Sequence, residues 1–358
     1  MRTNLHTNTY TPRPARSARP MGRAAAALVA GAAAAAVLPM GTAYAQQAPA
    51  GIPLPGDDAR VPVAVDDQVR FGDRSVAHGF DTVFSLERIG RYDSALVRGR
   101  VGSSTRLVRV KDTGKRVPLA RRVSSAASDP ADRRVAAALQ RSRRDVVKVK
   151  NLGGGKLVAK RRFVEPTVLA LAGRDVTLTI GSTERRRVVT WDIGSDSVER
   201  VTRGNGIDAD PRADRLVLSE GLGDVSVVAL SSPSQEIDTR GELPVDWSFG
   251  GESVLTVPVS ATPFHESVVA RAEPSYAAYG RITTDRTGDR MGLGPVWESR
   301  FVWLTVRYDD DKAFIQRCNR RATSCERASE VFGAETVGGR SGETGALASP
   351  RLVLGSRS

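Results

Sequence analysis

The sequence predicts an all-β architecture, and three observations predict it. Short runs of β-branched and apolar residues alternate with turn clusters along most of the chain. Windows of helical periodicity are scarce, and the best, residues 131–143, is interrupted by strand-like neighbours. A unit of about 40 residues recurs.

The composition sets outer bounds. The chain has 358 residues, 40% hydrophobic and 26% charged, which is ordinary globular composition. Its length allows two or three average domains, or one large β architecture. Three His and two Cys leave little for a metal site of soft ligands, so no cofactor or metal is expected. No apolar run reaches the ~18 residues of a membrane span apart from the N-terminal targeting segment.

Residues 1–45 read as a secretory signal peptide. Arg13, Arg16, Arg19 and Arg23 form a basic n-region, and residues 24–38 form an Ala-rich apolar h-region. Ala43-Tyr44-Ala45 is a small-x-small cleavage site, which would leave Gln46 first in the mature chain. That stretch takes with it five Arg of the 53 basic residues and none of the 40 acids, so the formal charge falls from +13 to +8. No transmembrane segment is expected after cleavage, and the expected location is outside the cell or in its envelope.

Residues 46–66 carry Pro49, Pro53, Pro55 and Pro62 and read as a flexible leader. Residues 334–358, rich in Gly, Ser, Thr and Ala, read as a disordered tail. The folded domain is expected over 67–333. Its predicted strands are 94–100, 105–111, 133–139, 145–150, 156–160, 167–172, 176–180 and 188–192. Those at 215–219, 225–230, 253–258, 267–271, 301–307 and 312–317 follow.

Cys318 and Cys325 flank a polar turn between two of the last runs. In an exported chain a disulfide is the default, and here it would cross-link a hairpin.

The repeat is the most informative feature. Ser128-Asp129-Pro130-Ala131-Asp132-Arg133-Arg134-Val135 has a counterpart in Ala209-Asp210-Pro211-Arg212-Ala213-Asp214-Arg215-Leu216. The two Asp-Pro turns lie about two periods apart, with Leu171-Ala172-Gly173-Arg174-Asp175-Val176 midway. Similar forms begin near Tyr92, Val245 and Pro295. Each unit is expected to open with the polar turn, which leads into an inner strand. Arg187-Val188-Val189-Thr190-Trp191-Asp192 is expected as a third strand, turning tightly into an outer strand at 197–202. A four-stranded unit of this length is the period of a β-propeller blade. One blade cannot bury both faces, so blades must stack around an axis. Six blades are countable, and a seventh is possible from residues 61–90.

On these residues the chain resembles the secreted TolB-like and WD40-like propellers over roughly 70–332. The resemblance rests on the repeat, the Asp-Pro turns and one Trp-Asp dipeptide, and it is a likeness of fold.

Chemistry is sparse. No G-x-S-x-G or H-E-x-x-H occurs, so neither serine-hydrolase nor zincin chemistry is indicated. His78 and His265 lack a companion acid or nucleophile at a recognisable spacing and read as structural or surface residues. Asp208, Asp210 and Asp214 lack the Gly and terminal Glu of a calcium loop and read as turn caps. Asp309-Asp310-Asp311 fits a hairpin turn. The basic clusters Arg141/Arg143/Arg144, Arg185-Arg186-Arg187 and Lys160-Arg161-Arg162 sit in or beside turns. The six Arg of the first two clusters are the candidate binding residues, forming a positive rim if they face the same way. No stacking aromatics interleave them, so nucleic acid is not expected.

The leading expectation is therefore a monomeric, exported, non-enzymatic binding or scaffold module for a protein or an anionic envelope polymer. The alternative is a propeller enzyme of lyase or glycosidase type with its site in the axial funnel.

Overall fold

A computed structural model describes residues 46–47, 54–65, 67–89, 93–129, 131, 133–140, 145–211, 213–219, 225–237, 242–247, 253–258, 267–272, 277–283, 296–299, 301–309 and 312–333. The segments read as signal peptide and tail lie outside the described residues, as do Arg141, Arg143, Arg144 and His265. Among the described residues there is no α-helix, only strands and a 3-10 turn at Thr183–Arg185.

The chain opens with β1 (Gln46–Gln47), then β2 (Val63–Val65), β3 (Gln68–Phe71) and β4 (Arg74–Ala77). Six four-stranded antiparallel blades follow. Blade 1 is β5 (Thr82–Ile89), β6 (Ser94–Val101), β7 (Ser104–Lys111) and β8 (Arg116–Arg121). Blade 2 is β9 (Val123–Asp129), β10 (Arg134–Leu139), β11 (Asp145–Asn151) and β12 (Leu157–Phe163). Blade 3 is β13 (Thr167–Ala172), β14 (Asp175–Ile180), β15 (Arg187–Asp192) and β16 (Ser197–Arg203). Blade 4 is β17 (Asn205–Asp210), β18 (Arg215–Ser219), β19 (Val225–Ala229) and β20 (Glu236–Ile237). Blade 5 is β21 (Glu242–Trp247), β22 (Ser253–Pro258), β23 (Ser267–Ala272) and β24 (Ala277–Thr283). Blade 6 is β25 (Val296–Ser299), β26 (Val302–Asp309), β27 (Lys312–Asn319) and β28 (Cys325–Arg327), with β29 (Phe332–Gly333) also pairing β27.

The predicted strands recur at nearly their expected bounds, and β15 and β16 stand third and fourth in blade 3 as expected. The phase of the repeat is corrected. The Asp-Pro turns do not open a blade; they join its first strand to its second, β9 to β10 and β17 to β18. First strands of successive blades lie side by side, β9 against β13 and β13 against β17, so they are the inner strands. Their sequences, such as Val-Ser-Ser-Ala-Ala-Ser-Asp and Asn-Gly-Ile-Asp-Ala-Asp, carry little β propensity. Small residues suit the crowded centre. A Cβ on Gly206 would come within 2.7 Å of Leu169 and 2.8 Å of Thr179 and Val188 in blade 3. Instead its carbonyl accepts the Thr179 hydroxyl at 2.8 Å.

The repeat is also written in hydrogen bonds. In blades 1–4 the residue after the third strand donates its N–H to the carbonyl of the residue before the second strand: Asp112 to Asp93, Leu152 to Arg133, Ile193 to Arg174 and Leu230 to Asp214. Arg133 and Asp214 occupy the same place in their turns, and both are left-handed, at φ 52° and 54°.

Burial follows from strand periodicity. In β10, Val135, Ala137 and Leu139 pack with Ile89, Leu96, Leu107 and Leu119 of blade 1. The alternate Ala136 and Ala138 pack with Leu171, Val176, Leu178 and Trp191 of blade 3. One strand thus serves two cores, which is why such strands read as unbroken apolar runs rather than alternating ones.

The small sheet β2–β4 closes the ring. Val63, Ala64, Val69 and Phe71 share a core with Val83, Leu86 and Val97 of blade 1 and Leu304 and Ile315 of blade 6. It fills the place considered for a seventh blade, but with three strands instead of four. The stretch 46–66 is fastened at several points. Gln46 and Gln47 pair in parallel with Gly280 and Arg281 of β24. Gly56 N–H donates to the Arg327 carbonyl and Ala59 N–H to that of Ala328, each at 2.8 Å. The nearly buried Arg317 donates to the carbonyls of Asp57 and Asp58 at 2.8 and 2.7 Å, and to the Glu326 carboxylate at 2.7 Å. Residues 54–58 remain exposed on their other side.

Cys318 and Cys325 are disulfide-bonded across the β27–β28 pair. Replacing both by Ser should lower stability by about 2–3 kcal/mol in the chain-entropy account. The check is the urea midpoint of the oxidised chain against the double variant. A loss under about 1 kcal/mol would mean that strand pairing alone holds this hairpin.

Candidate functional site

In an antiparallel blade, the second-to-third connection and the link from the fourth strand to the next blade emerge at one end. The Arg185-Arg186-Arg187 cluster falls at that end of blade 3. Arg185 and Arg186 lie in the β14–β15 connection and Arg187 opens β15. Arg185 and Arg187 are exposed, whereas Arg186 is half-buried and donates to the Asn205 side-chain oxygen of blade 4 at 2.7 Å. Arg141, Arg143 and Arg144 belong to the equivalent β10–β11 connection of blade 2, outside the described residues. Lys160-Arg161-Arg162 departs from the expectation of a turn: it lies within the outer strand β12. There Arg161 bonds Asp196 of blade 3 at 2.8 Å and lies 5.9 Å from the Phe163 ring centroid, so it staples two blades.

Four cations that sequence reasoning passed over gather between blades 1 and 2, spread along the strands from the β8 end toward the far end of β11. Arg121 and Arg122, both exposed, join blade 1 to blade 2. Lys148 and Lys150 alternate along β11, so they share the strand face opposite Val147 and Val149. The four meet in a groove of about 840 Å³ between blades 1 and 2, lined also by Ser104, Pro118, Leu119, Ala120, Leu139 and Gln140. Among the described residues no carboxylate lines it. Lys150 Nζ donates to the Leu119 carbonyl at 2.5 Å. Nearer the axis, between the same blades, Arg98 is 6% exposed. It donates to the Ser124 carbonyl and to Ser85 Oγ, and sits 5.6 Å from the Phe84 ring centroid. Burial pulls its pKa down to about 10, so it stays charged at neutral pH. The signal that could have found the groove was the Arg121-Arg122 doublet together with Lys148 and Lys150 spaced by two.

The acids of blade 3 gather at its opposite end. Asp175 is held above the usual carboxylate range by burial, then by the charges of Asp192 and Glu199. Asp192 is held below it chiefly by the N–H groups of Gly194 and Ser195. Acids of the inner strands do structural work. The Glu87 carboxylate accepts both the N–H and the hydroxyl of Ser128 in blade 2. Asp129, almost fully buried, accepts from Ala131 N–H at 3.0 Å and from Gly173 N–H of blade 3 at 2.6 Å. Asp210 accepts from Ala213 N–H at 3.3 Å, and Asp214 accepts both the N–H and the hydroxyl of Ser231. Asp210 and Asp214 cap turns as expected, whereas Asp208 lies within strand β17 opposite Val217. His78 is buried and accepts from Phe80 N–H through Nδ1 at 3.0 Å. Asp309 pairs with Lys312 to close the β26–β27 hairpin.

The architecture defines a β-propeller. No protein-family model matches the chain, and no curated protein matches it. Similar solved structures include the uncharacterized protein lmo1340 from Listeria monocytogenes EGD-e, at 13% identity and TM-score 0.47, covering 71% of this chain and 84% of that one. TolB from Acinetobacter baumannii is similar at 11% identity and TM-score 0.43, covering 77% of this chain and 65% of that one. A structure of prolyl endopeptidases is similar at 13% identity and TM-score 0.48, covering 70% of this chain and 42% of that one.

Proposed function

We propose that this chain is an exported, non-enzymatic propeller that binds an anionic partner of the cell envelope or the extracellular space. The observation that carries the reading is the groove between blades 1 and 2, where Arg121, Arg122, Lys148 and Lys150 meet and no Asp or Glu is among the described lining residues. Clefts lined by one sign of charge concentrate counter-charged partners. The proposed binding residues are Arg185 and Arg187, with Arg141, Arg143 and Arg144 of blade 2. Arg186 has its Asn205 bond to keep and contributes charge only. The commitment of Glu87, Asp129 and Asp210 to turns and blade contacts supports binding over axial acid–base chemistry. Export is supported by the Ala-rich segment before Ala43-Tyr44-Ala45 and by the disulfide. The proposed organisation is a signal peptide over 1–45, a leader over 46–66, a propeller over 67–333 and a tail over 334–358, acting as a monomer without nucleic acid.

The test is affinity capture. The oxidised chain is incubated with envelope and secreted fractions of its host across a salt series. Retention should fall steeply as salt screens the surface charges. No retention at low salt, or retention that salt leaves unchanged, overturns the charge-based reading.

A further inference from the structure

We propose that the groove between blades 1 and 2 is an oxyanion-binding subsite for a linear anionic polymer, read by Arg121, Arg122, Lys148 and Lys150. This rests on the charge-based reading above and gives it a place and a ligand chemistry.

Three observations carry the assignment. The site is concave, and its volume of about 840 Å³ lies in the range that takes a chain segment or small molecule. A folded protein face would need a broad, flatter area. Its wall is apolar, with Leu119 and Leu139 buried, and its cations stand along that wall without a lining acid. That pattern suits a linear polymer with regularly spaced oxyanions. β8 lines the groove, but Pro118 has no N–H to offer an added strand, so recognition falls to the cationic side chains rather than to strand pairing.

The third observation is the backbone of Arg122, at φ 58°. Each link from an outer strand to the next inner strand carries one left-handed residue in this part of the ring: Arg122, Glu165 and Gly204. The third link fills the position with Gly, for which this conformation carries no Cβ penalty. Arg122 is pinned there by its own main chain, donating to the Thr105 carbonyl at 2.6 Å and accepting from Gln140 N–H at 2.9 Å. Glycine would keep both bonds and release the strain. Glu165 takes the same conformation at the next link, so the main chain sets it, and in blade 1 it carries the exposed Arg122 side chain beside the groove.

The experiment titrates labelled inorganic polyphosphate, and in a parallel arm polygalacturonate, into the full oxidised chain. The variants are Arg122→Gly, Arg121→Ala with Arg122→Gly, and Arg200→Ala as an exposed-charge control on β16. Arg122→Gly should shift the thermal midpoint by no more than about 3 °C, yet weaken polymer binding about fivefold, the worth of one cation on an anionic partner. The double variant should weaken it further, and Arg200→Ala should leave it unchanged. Binding in either arm with this pattern supports the subsite, and the preferred arm names phosphate or carboxylate as the oxyanion. If the unaltered chain binds a polymer and all variants bind alike, the groove is overturned while the charge-based module stands. If the unaltered chain binds neither polymer but retains an acidic protein, the polymer assignment is overturned. If it binds neither polymer and no envelope fraction, the module itself falls.

Discussion

Trp191→Ala is expected to destabilise the protein by about 3–5 kcal/mol, the range for removing a buried large aromatic. Trp191 is 1% exposed and fills the contact between blades 2 and 3. Its ring meets Phe163 edge-on with centroids 5.8 Å apart. Its indole N–H also donates to the Asp196 carboxylate at 2.9 Å, so the truncation opens a cavity and strips a turn of its donor. The urea midpoint, followed by far-ultraviolet circular dichroism, measures the first effect. A loss below about 2 kcal/mol would mean that the blades collapse into the space. The second effect appears in the pH dependence. The indole N–H, and after it Arg161, hold the Asp196 carboxyl below the usual carboxylate range. Stability from that depression is present above the ordinary carboxylate pKa and is lost as pH falls through the lowered native value. In Trp191→Ala the native and unfolded values draw together, so this part of the acid-side loss should shrink. Trp191→Phe, which keeps most of the ring and lacks the N–H, should show the altered acid limb with a smaller loss at neutral pH.

Asp129→Ala is expected to lower stability by about 3 kcal/mol. Hydrogen bonds from N–H groups to a buried carboxylate are charge-assisted, and deletion leaves their donors unpaired. One carboxylate oxygen closes the turn on Ala131, and the other reaches Gly173 in the next blade. Asp129→Asn keeps one acceptor oxygen and should restore about half of the loss. The measurement is again the urea midpoint, with the slope checked for unchanged cooperativity. If both variants unfold within about 0.5 kcal/mol of the unaltered protein, Asp129 does not latch blade 2 to blade 3. Asp210 holds the same place in blade 4 and accepts from Ala213 N–H at 3.3 Å.

Much of this was legible in the sequence. β10 announces itself because a strand buried on both faces is nearly all apolar. The two Asp-Pro turns fixed the period because the same turn must recur wherever the same blade recurs. The cysteine pair named its own hairpin, since seven positions are too few to reach elsewhere. The inner strands β9 and β17 were missed because the axis selects small and polar residues, which erase the β signal. That omission shifted the repeat by one strand.

The candidate site was less legible. The Arg doublets and triplets were visible, but their orientation was not, and Lys160-Arg161-Arg162 turned out to lie in a strand. Lys148 and Lys150 looked like the polar side of an ordinary strand. By itself the sequence determined the strand content, the period, the disulfide and the excess of cations, all of which depend on local chemistry and spacing. Only the tertiary structure decided the phase of the blades, the three-stranded closure and the meeting of Arg121, Arg122, Lys148 and Lys150. Stacking one blade on the next sets which side chains share a groove, and no spacing within a single blade carries that information.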